Sequence, residues 1–371
     1  MHSVDAARAL FLLLGIPYHF ATLSIFDAKV HASDLLVSPM VGLYMSSTHA
    51  FRMFAFFVLA GYFSALIIER RGKNAWIIDR LERLAVPLIA SMLSVLVVGR
   101  WLELYYSGRS FDIQDYNILN FSHLWFLVVL LLFAGALYLL AERLRFSQLV
   151  VAKAILLRGR PGAVFVGLLA IWGLGRSALD IGLDHVKLPF ESILSHFLLH
   201  VPAFAIGVAA RTGTVRERLF TLIRPRQYIA VAAFLAIYIA LDPLARPSIG
   251  LPDSKTFVEK LISNSIELPV AYFTSLAVFS FLSKIVVKKN LVIDYFVSGA
   301  LAIYIFHIMW VHIVVHALDA YILPAEVRFV VGSALVLALS TMCYAVTRLN
   351  PWLSAAFNGT KLPRRSKAAV V

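Results

Sequence analysis

VDAARALFLLLGIPYHFATLSIF, residues 4–26, is long and apolar enough to cross a membrane, yet it contains ionisable side chains. A membrane-spanning helix needs about 20 mostly apolar residues. Arg8 and His19 lie inside the stretch, and Asp5 lies near its start. Ionisable groups within a span are unfavourable unless they face a partner or a water-filled cavity. The stretch therefore predicts a first span that carries functional side chains.

The whole chain has the composition of a polytopic membrane protein. Of its 371 residues, 60% are hydrophobic and only 15% are charged, whereas soluble domains average about 25% charged residues. No basic segment precedes the first apolar run, so we expect this span to be retained and not cleaved as a signal peptide. We predict one all-α integral-membrane domain over residues 1–371.

Ten apolar runs are long enough to be membrane spans, and the seventh is the shortest. They lie near residues 4–25, 48–69, 82–99, 122–141, 162–180, 192–210, 227–242, 267–283, 294–317 and 327–347.

The formal net charge of +13 follows the predicted loops. With ten spans and both termini inside, 23 of the 34 Lys and Arg residues fall on the inner side and nine on the outer side. Cytoplasmic loops carry this excess in membrane proteins. The positive charge therefore indicates cytoplasmic termini, and it gives no reason to expect nucleic-acid binding.

Arg8 and His19 are eleven residues apart, which on a continuous helix is three turns plus about 20°. Both would project from one face, with His19 roughly 16 Å deeper than Arg8 and near mid-membrane. Gly15 lies on the same stripe and leaves room beside the helix, and Asp5 lies close enough to pair with Arg8. The alternative is structural, with His19 bonded to a neighbouring helix and Arg8 anchored at the interface.

Two arginines at the inner start of the third span form a second candidate site. Arg80 and Arg83 are spaced i,i+3, and Trp76 lies one turn earlier. Two guanidinium groups on one face suit phosphate recognition. The same residues are also typical of a positive-inside anchor with an interfacial tryptophan.

Polar side chains also mark the outer ends of two spans. His49 and Arg52 are spaced i,i+3 in the second span, and His123 and Trp125 open the fourth. Arg52 could bind a carboxylate or a sugar hydroxyl, or it could extend to the lipid headgroups. An aromatic belt explains Trp125 but not His123.

The ninth span contains Tyr304 and His307 at i,i+3 spacing. Histidine pairs at i,i+4 spacing occur at His196 and His200 and at His312 and His316. Such pairs can bind a metal ion, but no cysteine or carboxylate completes a site, so we expect no metal.

These blocks together resemble the membrane acyltransferase-3 family. The resemblance rests on Arg-x10-His from Arg8 to His19, on Arg-x-x-Arg at Arg80 and Arg83, and on five further segments in the same order. The segments, which fall between residues 4 and 320, are LLGIPYHF, FRMFAFFVLAGYFS, RLERLAVPL, SHLWFLVVLLL and ALAIYIFH.

The resemblance implies acyl transfer across a membrane. Acyl-CoA would enter from the cytoplasm, and an acceptor hydroxyl would approach from the periplasmic side. Within the family, the segments are most similar to proteins that succinylate osmoregulated periplasmic glucans. This implies succinyl-CoA as the acyl-donor substrate, a periplasmic glucan as the acceptor and the bacterial inner membrane as the location.

The resemblance also assigns roles, with His19 as general base on a glucosyl hydroxyl, because imidazole titrates near neutral pH. Tyr304, His307 or His123 would donate to the oxyanion, and the sequence does not choose among them. Arg52 is the candidate for the succinyl carboxylate, because a bare carboxylate is unstable in an apolar tunnel. The expected CoA-binding residues are Arg8, Trp76, Arg80 and Arg83, and the expected substrate-binding residues are His49, Arg52, His123 and Trp125.

Three other functions remain open from the sequence. The first is a secondary transporter with His19 and Arg8 in a proton or anion pathway. The second is the same chemistry with another acyl group, such as acetyl, or another acceptor, such as an exopolysaccharide or a lipid-linked sugar. The third is a non-catalytic scaffold, which leaves the mid-membrane His19 unexplained.

Overall fold

The computed structural model describes residues 2–26, 38–112, 117, 120–140, 160–184, 191–210, 225–242, 256–286, 288 and 290–361. Many basic residues of the predicted inner loops and of the C-terminal tail lie outside these ranges. The helices are α1 (His2–Leu13), α2 (Gly15–Phe26), α3 (Pro39–Arg71), α4 (Lys73–Met92), α5 (Val95–Tyr106), α6 (Trp125–Leu140), α7 (Arg160–Asp184), α8 (Glu191–Ala209), α9 (Pro225–Leu241), α10 (Phe257–Ile285), α11 (Leu291–Asp319), α12 (Ala325–Thr347) and α13 (Pro351–Asn358).

The described part of the chain is helical and contains eight segments that are long and apolar enough to cross a membrane. Two shorter apolar helices, Ala163–Leu179 and Arg226–Leu241, occupy the positions of the fifth and seventh predicted spans. The ten positions match the ten predicted runs. The prediction of an all-α polytopic membrane protein is therefore confirmed.

The first span is not one continuous helix. The prediction that placed Arg8 and His19 on one continuous helix was therefore wrong. α1 ends at Leu13, Leu14 forms a turn, and α2 begins at Gly15. Pro17 explains the break, because it has no N–H to donate to the carbonyl of Leu13 and its ring clashes with that carbonyl. The break places Pro17 in the first turn of α2, where the missing N–H has no helical partner to lose.

The third span is longer than predicted and is also interrupted. It runs from Lys73 to Tyr106, not over residues 82–99, and it turns at Leu93 and Ser94 between α4 and α5. Arg80 therefore lies within α4, and it does not open the span.

α3 and α8 cross with their backbones in close contact. A Cβ on Gly61 of α3 would collide with the backbone oxygen of Phe204, and a Cβ on Gly207 of α8 would collide with that of Val58. Small residues permit such approach between membrane helices. The crossing holds α3, and therefore Arg52, in a fixed position in the bundle.

α11 packs against α1, α2, α5 and α12 near the centre of the bundle. Gly299 accommodates the ring of Tyr344 on α12, and Gly332 on α12 accommodates the ring of Phe20 on α2. These contacts bring α2 and α11 together, and each of these helices carries a predicted catalytic histidine.

The described residues nearest the two termini lie at the same end of the bundle. Lys361 pairs with Asp79 of α4 at 3.0 Å, and Arg8 of α1 lies within electrostatic range of Arg83. The distribution of Lys and Arg in the sequence predicts that this is the cytoplasmic end, and we refer to it by that name.

Candidate active site

The break between α1 and α2 frees a backbone carbonyl that two side chains of α3 bind. The hydroxyl of Tyr44 donates to the carbonyl of Leu14 at 2.8 Å, and Nη1 of Arg52 donates to it at 3.3 Å. A carbonyl freed inside a membrane protein needs such partners, because lipid supplies none. Arg52 is 6% exposed, so it is an interior residue and does not extend to the lipid headgroups.

Gly15, the first residue of α2, leaves space that the site uses. A Cβ at this position would lie 2.7 Å from Cε2 of Tyr304 and 3.2 Å from Nη1 of Arg52. The expectation that Gly15 leaves room beside the helix is confirmed. Tyr304 and Arg52 fill that room.

His19, Tyr304 and His307 meet at the contact between α2 and α11. Nε2 of His19 lies 3.2 Å from the hydroxyl oxygen of Tyr304. The ring centroids of His19 and His307 are 5.2 Å apart, and those of Tyr304 and His307 are 4.6 Å apart. His19 is partly exposed whereas His307 is fully buried, so His19 is the more accessible of the two imidazoles.

His123 completes what we call the histidine–tyrosine cluster, made of His19, His123, Tyr304 and His307. It enters from the 3-10 turn at Ser122–Leu124 that precedes α6. Its ring centroid lies 5.0 Å from that of His307 and 5.7 Å from that of Tyr304. The structure thus brings together four residues that lie in three predicted spans.

Backbone hydrogen bonds fix the tautomers of the two buried imidazoles. Nε2–H of His123 donates to the carbonyl of Ile305 at 3.2 Å, and Nδ1–H of His307 donates to the carbonyl of Tyr304. In the neutral rings the other nitrogens, Nδ1 of His123 and Nε2 of His307, carry lone pairs. Among the described residues neither nitrogen has a hydrogen-bond partner, so both can accept from a bound molecule.

Arg52 brings positive charge to this cluster. Its guanidinium group lies within electrostatic range of His19, Tyr304 and His307. It also lies over the ring of Tyr18, with Cζ 4.9 Å from the centroid. Within the described part of the chain, no ion pair joins Arg52 to a carboxylate, so it remains available to an anion.

His49 and Trp125 lie to the side of the cluster in aromatic stacks. The ring of His49 stacks on Tyr18 at a centroid distance of 5.6 Å. Trp125 stacks on His196 at 4.0 Å, with His200 5.8 Å away. Each of the two side chains is therefore held in place by an aromatic stack.

The predicted CoA-binding residues form a separate group at the cytoplasmic end. Arg80 lies within electrostatic range of Arg8, Arg83 and Asp79, and Arg83 pairs with Asp79 at 3.0 Å. Nε of Arg80 and Nε1 of Trp76 are buried without a partner among the described residues. Because Asp79 is already paired with Arg83 and Lys361, the group has cations in excess.

The polar side chains described here therefore form two groups, the histidine–tyrosine cluster and the arginines around Asp79. In the described residues, no set of three His, Cys, Asp or Glu side chains is placed to hold a metal ion. Sequence analysis did not identify the roles of Tyr44 and Tyr18. The Gly-x-Pro spacing at residues 15–17 could have indicated a break whose free carbonyl needs a donor such as Tyr44.

Comparison with known proteins identifies the family of the chain. Residues 1–345 match the family described as Acyltransferase domain. Relatives named Glucans biosynthesis protein C, from Shigella boydii serotype 4 (strain Sb227), Escherichia coli O139:H28 (strain E24377A / ETEC) and Escherichia coli (strain K12 / DH10B), are each 26% identical over 389 residues. The alignments cover 98% of this chain and 95% of each relative. No solved structure matches the chain significantly.

The resemblance noted from the sequence is thereby confirmed. The family match extends over both groups of polar residues, the cytoplasmic arginines and the histidine–tyrosine cluster. The protein belongs to the acyltransferase domain family and is a multi-pass membrane protein.

Proposed function

We propose that this protein is a transmembrane O-acyltransferase that moves a succinyl group from cytoplasmic succinyl-CoA to glucose hydroxyls of periplasmic glucans in the bacterial inner membrane. Family membership supports acyl transfer, and the name of the relatives supports a glucan acceptor. The observation that carries the proposal is the hydrogen bond between His19 and Tyr304 beside the helix break. It gives an imidazole inside the membrane a fixed partner and leaves its second nitrogen for proton transfer.

His19 is the general base. When Nε2–H donates to the hydroxyl oxygen of Tyr304, Nδ1 carries the lone pair. Nδ1 takes the proton of the acceptor hydroxyl while that oxygen attacks the carbonyl carbon of the thioester. The carbon–sulfur bond breaks as the tetrahedral intermediate collapses, the proton passes from Nδ1 to the leaving thiolate, and CoA leaves as the thiol.

Two donors complete the chemistry. The hydroxyl of Tyr304, accepting from His19, is free to donate its own hydrogen to the developing oxyanion. Arg52 binds the succinyl carboxylate, because only one of its five N–H groups is needed for the carbonyl of Leu14. As neutral rings, His123 and His307 accept from substrate hydroxyls and do not donate to the oxyanion.

The cytoplasmic group binds CoA. Arg8, Arg80 and Arg83 are mutually repelling cations that the phosphates of CoA would neutralise. The buried N–H groups of Trp76 and Arg80 gain an acceptor in the same way. The acyl-pantetheine arm spans the distance between this group and His19. His49 and Trp125 flank the acceptor on the opposite side.

A transfer assay in proteoliposomes tests the proposal, with labelled succinyl-CoA as donor and glucan as acceptor. We expect His19→Ala to lower the transfer rate by at least about a hundredfold. We expect Tyr304→Phe to lower kcat by about a hundredfold with the KM for succinyl-CoA unchanged, because an oxyanion donor acts in the transition state. Tyr295→Phe, on the same helix α11 but packed on Tyr344, is the matched control and should keep the wild-type rate.

The same preparation separates this proposal from its alternatives. A His19→Ala protein that elutes and melts like wild type and still succinylates glucan would remove the base assignment. Faster transfer from acetyl-CoA than from succinyl-CoA would show that the transferred group is acetyl and not succinyl. Flux of a labelled anion or proton without any acylated product would identify a transporter.

A further inference from the structure

A polar cavity lies beside the histidine–tyrosine cluster, at the end of the bundle opposite the cytoplasmic arginines. Its volume is about 180 Å³, which is enough for several water molecules or for one sugar ring. It lies between α5, the residues that lead into the 3-10 turn, and α11. None of its lining residues is among those assigned above to catalysis or to CoA.

The lining carries balanced charge and many hydrogen-bonding groups. Arg100 and Glu103 form an ion pair at 2.7 Å, and Asn120 and Ser122 add amide and hydroxyl groups. One opposed cation and anion leave no net charge to attract a phosphate or a carboxylate. Donors and acceptors in similar number suit a neutral molecule with many hydroxyl groups.

The rest of the lining is apolar. Leu96 and Gly99 on α5 and Ile308 on α11 form this part of the lining, and Ile308 lies close to Gly99. A sugar ring has C–H groups on its faces and hydroxyl groups around its edge. An apolar wall with polar groups at the rim matches both.

Two lining residues of the cavity are direct neighbours in sequence of histidines in the cluster. Ile308 follows His307 in α11, and Ser122 precedes His123 in the 3-10 turn. His312, a further lining residue, lies within electrostatic range of His123. The cavity is thus lined by the chain neighbours of both buried imidazoles, although neither imidazole is itself part of the lining.

We propose that this cavity is the acceptor subsite, which holds one glucosyl unit of the glycan and directs its hydroxyl toward the histidine–tyrosine cluster. The inference rests on the proposed function, since it names the binding site of that reaction's acceptor. Glu103 and Asn120 hydrogen-bond the edge of the sugar, and Gly99 leaves the space into which its face fits.

Filling the cavity is the sharpest test. A Cβ on Gly99 would contact Cγ2 of Ile308 at 3.8 Å, an ordinary contact distance, so α5 tolerates a side chain there. The remaining atoms of a leucine would occupy the cavity. Gly135 is the matched control, because it lies in α6 with nothing within 4 Å of an added Cβ. Glu103→Gln is the second variant, since it keeps the shape and removes the carboxylate.

We expect Gly99→Leu to raise the acceptor KM, and the Kd for a short glucose oligosaccharide without acyl-CoA, at least tenfold. We expect Glu103→Gln to raise both severalfold. The KM for succinyl-CoA should not change in either variant, and Gly135→Leu should behave as wild type. Transfer with an unchanged acceptor KM in Gly99→Leu would overturn the subsite and leave the proposed function intact. Gly99-dependent oligosaccharide binding without any transfer from acyl-CoA would support the subsite and remove the proposed function.

Discussion

Gly15→Ala should lower the rate of acyl transfer strongly and the free energy of unfolding only slightly. The added Cβ would lie 2.7 Å from Cε2 of Tyr304, and ordinary contact begins near 3.4 Å, so the ring must move by about 0.7 Å. The bond between Nε2 of His19 and the hydroxyl of Tyr304 is already 3.2 Å long, at the upper end of the normal range. A shift of this size away from Gly15 breaks the bond or misdirects it.

The expected effect on kcat is larger than the expected effect on the free energy of unfolding. Misplacing a catalytic group by about 1 Å can lower a rate by about a hundredfold, so we expect kcat to fall by about that factor. Overpacking costs roughly 1–3 kcal/mol, while replacing glycine by alanine within a helix returns up to about 1 kcal/mol. The net loss of stability is thus about 0–3 kcal/mol. The variant should fold and insert, and yet transfer slowly.

The assay is succinyl transfer in proteoliposomes, together with the thermal unfolding midpoint in detergent. Gly135→Ala, which adds the same atom in open space, should keep full activity. The double variant Gly15→Ala/Tyr304→Phe should lose little more than Tyr304→Phe alone, because both changes remove one interaction. Wild-type kcat in Gly15→Ala, or full additivity in the double variant, would refute the assignment of Tyr304 as the partner of His19.

Two further predictions concern the cytoplasmic group and the crossing of α3 and α8. Arg80→Ala/Arg83→Ala should raise the acyl-CoA KM at least tenfold, because charge-assisted hydrogen bonds contribute about 1.5–3 kcal/mol each. Arg70→Ala/Arg71→Ala, at the end of α3 and outside the arginine group, is the control, and equal KM values in both pairs would contradict the CoA site. Gly207→Ala would push a Cβ into the backbone of α3, so we expect a loss of roughly 1–3 kcal/mol and a lower unfolding midpoint; an unchanged midpoint would show that the crossing is looser than described.

The sequence predicted the spans well because lipid imposes one strong requirement. Each span must be apolar over about 20 residues, and that requirement can be read directly from the chain. The interruptions at Leu14 and at Leu93–Ser94 were not predicted. A span can pass through a break without becoming less apolar, since the lost helical bonds are replaced by side chains on other helices.

The residues of the candidate site were named from the sequence, but their contacts could not be. His19, Tyr304 and His307 were identified as ionisable or polar groups within spans, for which lipid offers no partner. The donor to the carbonyl of Leu14 was missed because Tyr44 lies about thirty residues away in sequence, and only the packing of α3 beside the break brings it close. Such pairing depends on how the helices pack, which hydropathy does not report.

The break in the first span and the buried arginine of the second span stabilise each other. A freed carbonyl in the bilayer lacks water to bond with, and a guanidinium group at that depth lacks a counter-charge. Arg52 and the carbonyl of Leu14 satisfy part of each other's need, which leaves the arginine positive and only partly bonded beside His19. The structural requirement of the fold thus retains, inside the membrane, the cation that we propose as the partner of the succinyl carboxylate. A continuous first helix would offer no carbonyl to hold that cation and no Gly15 space for Tyr304. The break therefore positions Arg52 and Tyr304 beside His19.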